Sequence, residues 1–174
     1  MEQLGDIIVS KNFRQDMKMI YRLASRGIIY ANGKLLMIYS SYYHDYAFPG
    51  GGNENGEDAI MTLRRECREE AGVNIKNIIP FYKVIEKREI DEHSYTYHES
   101  EYFLCEIASI TETHLCDYEI MLGYEVRWIS ILDAIKVDEE KRAELLPSDY
   151  DGVLERELRI LYKLKELENE GLLK

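Results

Sequence analysis

Apolar and polar positions change period several times along the chain, and each change marks an element. Arg22 to Tyr30 reads as a strand, followed by Ala31-Asn32-Gly33-Lys34 with the Asn-Gly signal of a tight hairpin. Lys34 to Ser40 returns as a second strand whose apolar body is LLMIY. Tyr46 to Pro49 is a short extended piece, since Pro49 biases Phe48 away from the helical region. The period then becomes helical: at about 100° per residue, Ile60, Leu63, Cys67 and Ala71 fall on one stripe. Asn55 and Gly56 suit the helix start, Glu57 and Asp58 suit the positive end of its dipole, and Gly72 suits its C-terminus. Ile78 to Glu89 and Tyr95 to Ile107 read as a long strand pair, and Tyr124 to Ser130 as a further strand. A short helix near Leu132 to Ile135 and a final amphipathic helix from Asp149 to Glu170 close the chain. Residues 1–17 are mixed and carry no assignable period. Strands on both sides of a helix, then terminal helices, predict an α/β sandwich around a mixed sheet in one domain, residues 1–174.

The chemistry concentrates in GGNENGEDAIMTLRRECREEAGV, residues 51–73. Projection of the helix puts Arg64, Arg65 and Arg68 on one side of the apolar stripe and Glu66, Glu69 and Glu70 on the other. Carboxylates three and four residues apart repel and weaken an isolated helix. Retaining three of them together points to a cation for them to hold, and Mg²⁺ prefers such hard oxygens. A solvated, salt-bridged surface helix is the blander account of the same residues.

Gly51, Glu57, Arg65, Glu66, Glu69, Glu70, Gly72 and Val73 stand at the spacing G-x5-E-x7-R-E-U-x-E-E-x-G-U. The segment resembles the Nudix box, with Cys67 in place of the first bulky aliphatic residue. Cysteine behaves as a small hydrophobe on the buried stripe, so the departure is mild. Arg26-Gly27-Ile28-Ile29, Phe48-Pro49-Gly50-Gly51 and Gly123-Tyr124-Glu125-Val126-Arg127-Trp128 extend the resemblance over about residues 22–135. It implies a Nudix-type α/β/α sandwich and metal-dependent hydrolysis of the pyrophosphate bond in a nucleoside diphosphate linked to another moiety, with water as nucleophile. It implies Mg²⁺ or Mn²⁺ held by Glu66, Glu69 and Glu70. Glu69 or Glu66 is the candidate proton acceptor; the motif does not choose between them. A distal acid completes such sites, with Glu119 the first candidate and Glu125 and Asp117 the alternatives. Glu57 and Arg65 are implied to pair and orient the carboxylate helix, and Gly50, Gly51 and Gly52 to bring backbone N–H groups to the substrate.

Composition adjusts this reading only at its margins. The net charge of -11 argues against a general nucleic-acid polymer partner, which needs a basic face. Hydrophobic residues at 45% and charged residues at 32% indicate a folded domain. Cys67, Cys105 and Cys116 form neither a zinc pattern nor a disulfide framework, and the four histidines are scattered. No signal peptide and no membrane span are expected, so a reducing cytoplasm is the expected compartment. Tyr42, Tyr43 and Tyr46 could stack a base, though packing accounts for them more simply. The runs that mark dinucleotide and coenzyme A subclasses are missing, and Pro80 lies too close to Gly72 for the ADP-ribose spacing. The alternative to hydrolysis is a Nudix-fold sensor that binds a nucleotide without cleaving it. A homodimer is compatible with the resemblance alone.

Overall fold

Successive side chains of LLMIY divide between two cores, as strand geometry requires. Leu35 and Met37 join Ile28, Phe48, Val84 and Tyr102 on one side of the sheet. Leu36 and Ile38 join Ile29, Phe103 and Cys105 on the other. The computed structural model describes residues 1–9, 14, 16–146 and 152–173. Its strands are β1 (Glu2–Ile8), β2 (Lys18–Ala31), β3 (Lys34–Ser40), β4 (Asp45–Ala47), β5 (Gly50–Gly52), β6 (Val73–Asp91), β7 (Ser94–Ile110) and β8 (Tyr124–Ile129). Its helices are α1 (Ala59–Ala71), α2 (Asp117–Met121), α3 (Ile131–Glu144) and α4 (Val153–Asn169). The sheet runs β1-β6-β7-β2-β3-β4, with β5 on β2 and β8 on β3. It is mixed: β1/β6 and β2/β7 are parallel, and the other pairs are antiparallel.

Helix α1 covers one face through Leu63, Cys67 and Ala71. Helices α3 and α4 cover the other through Ile131, Ala134, Ile135, Leu158, Leu161 and Leu164. This is the expected α/β/α sandwich. The approach of α1 to the sheet depends on Gly27, where a Cβ would lie 2.7 Å from Cys67 Sγ. Asn32 and Gly33 both have positive φ, 52° and 76°, the twist a two-residue hairpin needs.

The site is prepared by a parting of strands. β2 and β3 pair only through Ile29↔Leu36, Tyr30↔Leu35 and Ala31↔Lys34. β3 then pairs with β4, while β2 pairs with the glycines of β5 at Ala24↔Gly52, Ser25↔Gly51 and Arg26↔Gly50.

Several elements exceed their sequence signals. β2 starts at Lys18 because Lys18–Leu23 pair with Ser94–Glu99 of β7, not because their own pattern is apolar. Residues 2–8 form an edge strand against Tyr82–Lys87, with only Ile7 buried. Instead of one turn near Leu132–Ile135, α3 spans fourteen residues. Ser130 caps it, accepting the Asp133 N–H at 3.1 Å, and Arg142 ties its polar end to Glu155 of α4 at 3.1 Å. Its inward stripe carries Asp138 where an apolar residue would have announced a helix. The expected start of the last helix at Asp149 lies outside the described residues.

Candidate active site

Both ends of α1 are closed by local chemistry. Asp58, rather than Asn55 or Gly56, is the N-cap, and its Oδ1 accepts the Met61 N–H at 2.8 Å. Gly72 takes the left-handed conformation, φ 64°, and its N–H returns to the last turn. The strand-to-loop segment after β7 is bound to this end: Thr111 N–H donates to Gly72 O and His114 N–H to Glu69 O, each at 2.8 Å. These bonds bring the segment carrying Glu119 beside α1.

Arg65 is the hub of the site. Its Nε and Nη2 fork onto Glu57 at 2.8 and 3.0 Å. Its Nη1 donates to Glu66 Oε1 at 2.8 Å and to Glu69 Oε2 at 3.2 Å, and Nη2 also reaches Gly52 O at 3.1 Å. The expected basic flank therefore excludes Arg65. A residue four positions before Glu69 lies on the same side of the helix, and its long side chain runs along the acidic edge. Arg64 stays on the other flank, donating to Ile75 O at 2.7 Å. Glu57 also accepts from Thr62 Oγ1 and the Glu54 N–H. The Arg65 fork, with these bonds behind it, holds the Glu57 carboxyl down to about 2.

The glycine loop meets the helix at atomic contact. Gly50 N–H donates to Glu70 Oε2 at 2.7 Å. Gly50 has φ 148°, and a Cβ there would lie 2.2 Å from Ser25 O. A Cβ on Gly51 would lie 2.4 Å from Glu66 Oε1. Only glycine allows the loop to pass this close to the carboxylates. Arg26 opens the Arg26-Gly27-Ile28-Ile29 segment of the resemblance, and its role at the site comes from the structure alone. Its Nη1 donates to Gly50 O at 3.1 Å, clamping the loop from the far side of β2.

Burial raises the carboxyls of Glu66 and Glu70, the latter to about 8. The Gly50 N–H opposes the rise at Glu70, and the Arg65 hydrogen bond opposes it at Glu66. Glu119 raises both, so it lies within electrostatic reach of the pair. It sits in α2 rather than in a loop, and its Oε2 accepts the Cys116 N–H at 2.8 Å. Glu125 is turned to Arg127 at 2.7 Å. Tyr124 lies on the site side: burial and the charge of Glu70 push its phenol up. Tyr46 is core, whereas Tyr42 and Tyr43 form an exposed edge-to-face pair. Among the described residues no three His, Cys, Asp or Glu side chains converge on one point. Glu66 and Glu69 are drawn to Arg65, and Glu70 to Gly50. The donor set nevertheless suits a hard cation: four acids raise or face one another, two of them buried, with Arg65 as the counter-charge beside Glu66 and Arg26 beside Glu70.

A sandwich with this loop and helix is of the Nudix hydrolase type. The NUDIX domain family matches residues 21–148, and the chain belongs to that family. A NUDIX hydrolase from Nitrosomonas europaea has a similar structure, with 17% identity and a TM-score of 0.53 over 88% of this chain and 92% of that one. A protein described as an ADP compounds hydrolase aligns over 87% of this chain and 76% of its own, with 13% identity and a TM-score of 0.54. These likenesses show the fold. No curated protein matches the sequence. No helix among the described residues is long and apolar enough to cross a membrane.

Proposed function

We propose that the protein hydrolyses the pyrophosphate bond of a nucleoside diphosphate linked to another moiety, with water attacking phosphorus. The observation that carries this reading is the pair of buried, mutually repelling carboxylates, Glu66 and Glu70, packed against the glycine loop. Buried acids in that state seek a proton or a cation. Glu66, Glu69 and Glu70, with Glu119 opposite, would hold Mg²⁺ or Mn²⁺. When bound, the ion offsets the charge of the diphosphate and lowers the pKa of water.

The chain's own residues supply positioning. Arg65 ties Glu57, Glu66, Glu69 and Gly52 O into one rigid unit, so the acids keep their place as the substrate enters. Arg26 and Glu70 fix Gly50 from both sides, which holds Gly50, Gly51 and Gly52 where backbone groups meet a phosphate. Glu69, the most exposed of the three helix acids, or Glu66 accepts the proton of the attacking water.

The test is a panel of nucleoside diphosphate derivatives with Mg²⁺ or Mn²⁺, scored for phosphate release after coupling to a phosphatase. Turnover that needs the ion and falls by orders of magnitude in both Glu66→Gln and Glu69→Gln supports the reading. No turnover on any compound would support a nucleotide sensor instead. Wild-type activity in both variants would refute the assignment of the acids.

A further inference from the structure

The backbone that leads into the glycine loop has one open flank. β4 pairs with β3 at Ile38↔Ala47, Tyr39↔Tyr46 and Ser40↔Asp45, and among the described residues no strand lies on its other side. In extended chain, N–H groups two residues apart point the same way. Those of Tyr46 and Phe48 each meet a carboxylate from a helix: Asp138 of α3 accepts the first at 2.8 Å and Glu157 of α4 the second at 3.1 Å. Pro49 follows and has no N–H, so Phe48 carries the last N–H before the glycines.

Glu157 is fully buried, and its two oxygens divide the work. Oε2 holds the Phe48 N–H. Oε1 accepts from Arg156 Nε at 2.9 Å, from Arg156 Nη2 at 2.8 Å and from the Tyr102 hydroxyl at 3.1 Å. Arg26 Nε stands 3.9 Å from the same oxygen. That is beyond hydrogen-bond length, so charge alone draws this guanidinium toward α4. The other end of Arg26 is on the loop, where Nη1 donates to Phe48 O at 3.4 Å and to Gly50 O at 3.1 Å. Gly50 N–H then reaches Glu70 Oε2 at 2.7 Å, and Gly51 lies against Glu66 Oε1. One carboxylate on α4 thus holds the loop directly through Phe48, and by charge it steadies the arginine behind the loop. Arg156 is fixed at its far end by Glu86, Nη1 to Oε2 at 2.6 Å.

We propose that Glu157 is a positioning residue of the site: it sets where Gly50 and Gly51 stand, and through them the affinity of the helix acids for a divalent cation. The inference rests on the reading that Glu66, Glu69 and Glu70 hold Mg²⁺ or Mn²⁺, and it puts part of their control on a helix outside the motif. Neutralising Arg156 inside the core is the competing account of the same carboxylate. Glutamine at 157 separates the two. It has the shape of glutamate but only one acceptor atom, the other being an amide donor. Donors face Glu157 on both sides, Arg156 at Oε1 and the Phe48 N–H at Oε2. The one remaining oxygen goes to the charged donor, which bonds more strongly. The amide NH₂ is left against the Phe48 N–H, so the loop loses this anchor and Gly50 is no longer held against Glu70.

Titration of the full chain with Mn²⁺, followed by water-proton relaxation with no nucleotide present, tests this. Glu157→Gln is expected to bind the ion at least about tenfold more weakly than wild type, the loss typical when a group supporting metal ligands is removed. Amide exchange at Phe48 and Gly50, read by NMR, is expected to quicken in the same variant. Glu86→Gln is the control: it weakens the other tie of Arg156 and touches no loop atom. It is expected to lower the melting temperature and to leave Mn²⁺ affinity at the wild-type value. Should Glu157→Gln not fold, Glu157→Met combined with Arg156→Met and Glu86→Gln removes the three charges together, a change that buried ion groups tolerate; the same weakening is expected, because methionine offers Phe48 no oxygen. Wild-type affinity in the Glu157 variant, or equal weakening in Glu86→Gln, overturns the proposal and leaves the hydrolytic reading standing, since no substrate is involved. A chain that binds Mn²⁺ as expected yet cleaves nothing would do the reverse. Wild-type chain that binds no Mn²⁺ overturns both.

Discussion

Replacing Asp138 with asparagine is expected to stabilise the protein, and more so as pH rises. Asp138 is fully buried on α3. Its Oδ1 accepts the Tyr46 N–H at 2.8 Å, whereas its Oδ2 has no partner. Burial first, then the charges of Asp45 and Glu157, push its carboxyl up from 3.8 to about 8. Below pH 3.8 both folded and unfolded chains hold this proton, and the residue imposes no ionisation penalty. As pH rises the unfolded chain releases the proton and the folded chain keeps it, so stability falls until about pH 8. Each unit is worth about 1.4 kcal/mol, so about three units by pH 7 cost about 4 kcal/mol. Asparagine keeps the oxygen that holds Tyr46, and its amide takes the place of a carboxyl that also lacks a partner. Asp138→Asn should therefore match wild type near pH 4 and exceed it by about 4 kcal/mol at pH 7, equivalent to roughly 8–16 °C in melting temperature. Urea unfolding from pH 4 to 9 measures both slopes. Parallel curves would refute the reasoning, because they would mean that Asp138 is already ionised in the folded protein. The bond also ties β4 to α3 just ahead of the glycine loop, so activity is expected to survive the change.

Three other outcomes follow from the same geometry. Arg156→Ala leaves Glu86 and Glu157, 1% and 0% exposed, without their guanidinium; a loss of about 3–5 kcal/mol is expected in denaturant unfolding, and an unchanged midpoint would contradict it. Gly51→Ala places a methyl 2.4 Å from Glu66 Oε1; kcat should fall about 100-fold with little change in melting temperature, and full activity would show that Glu66 need not stay where it is. Arg65→Lys keeps the charge but loses the fork to Glu57; kcat should drop at least about tenfold, checked beside circular dichroism to show that the helix persists.

Legibility along the chain followed the range of the interactions involved. The stripe of Ile60, Leu63, Cys67 and Ala71, the Gly72 terminus and the Asn32-Gly33 turn are set within a few residues of each other, and each was readable. The pairing of Glu57 with Arg65 spans only eight positions, and the motif implied it. The side of α1 on which Arg65 works was misread, because a projection places Cα atoms and says nothing of where a long side chain runs. The extents of β1, β2 and α3 were also hidden. Their residues are held by partners far along the chain: Lys18–Leu23 by β7, Glu2–Ile8 by β6, and Arg142 by Glu155.

By itself the sequence determined the sandwich, the acidic helix and the glycine turn before it, because periodicity, caps and motif spacing act locally. Only the tertiary structure decided that Gly50 and Gly51 lie against Glu70 and Glu66, that Arg26 grips the loop from behind, and that Glu157 of α4 holds Phe48. Those contacts form between elements distant in the chain, and burial there sets which charges are paired and which are left seeking a partner.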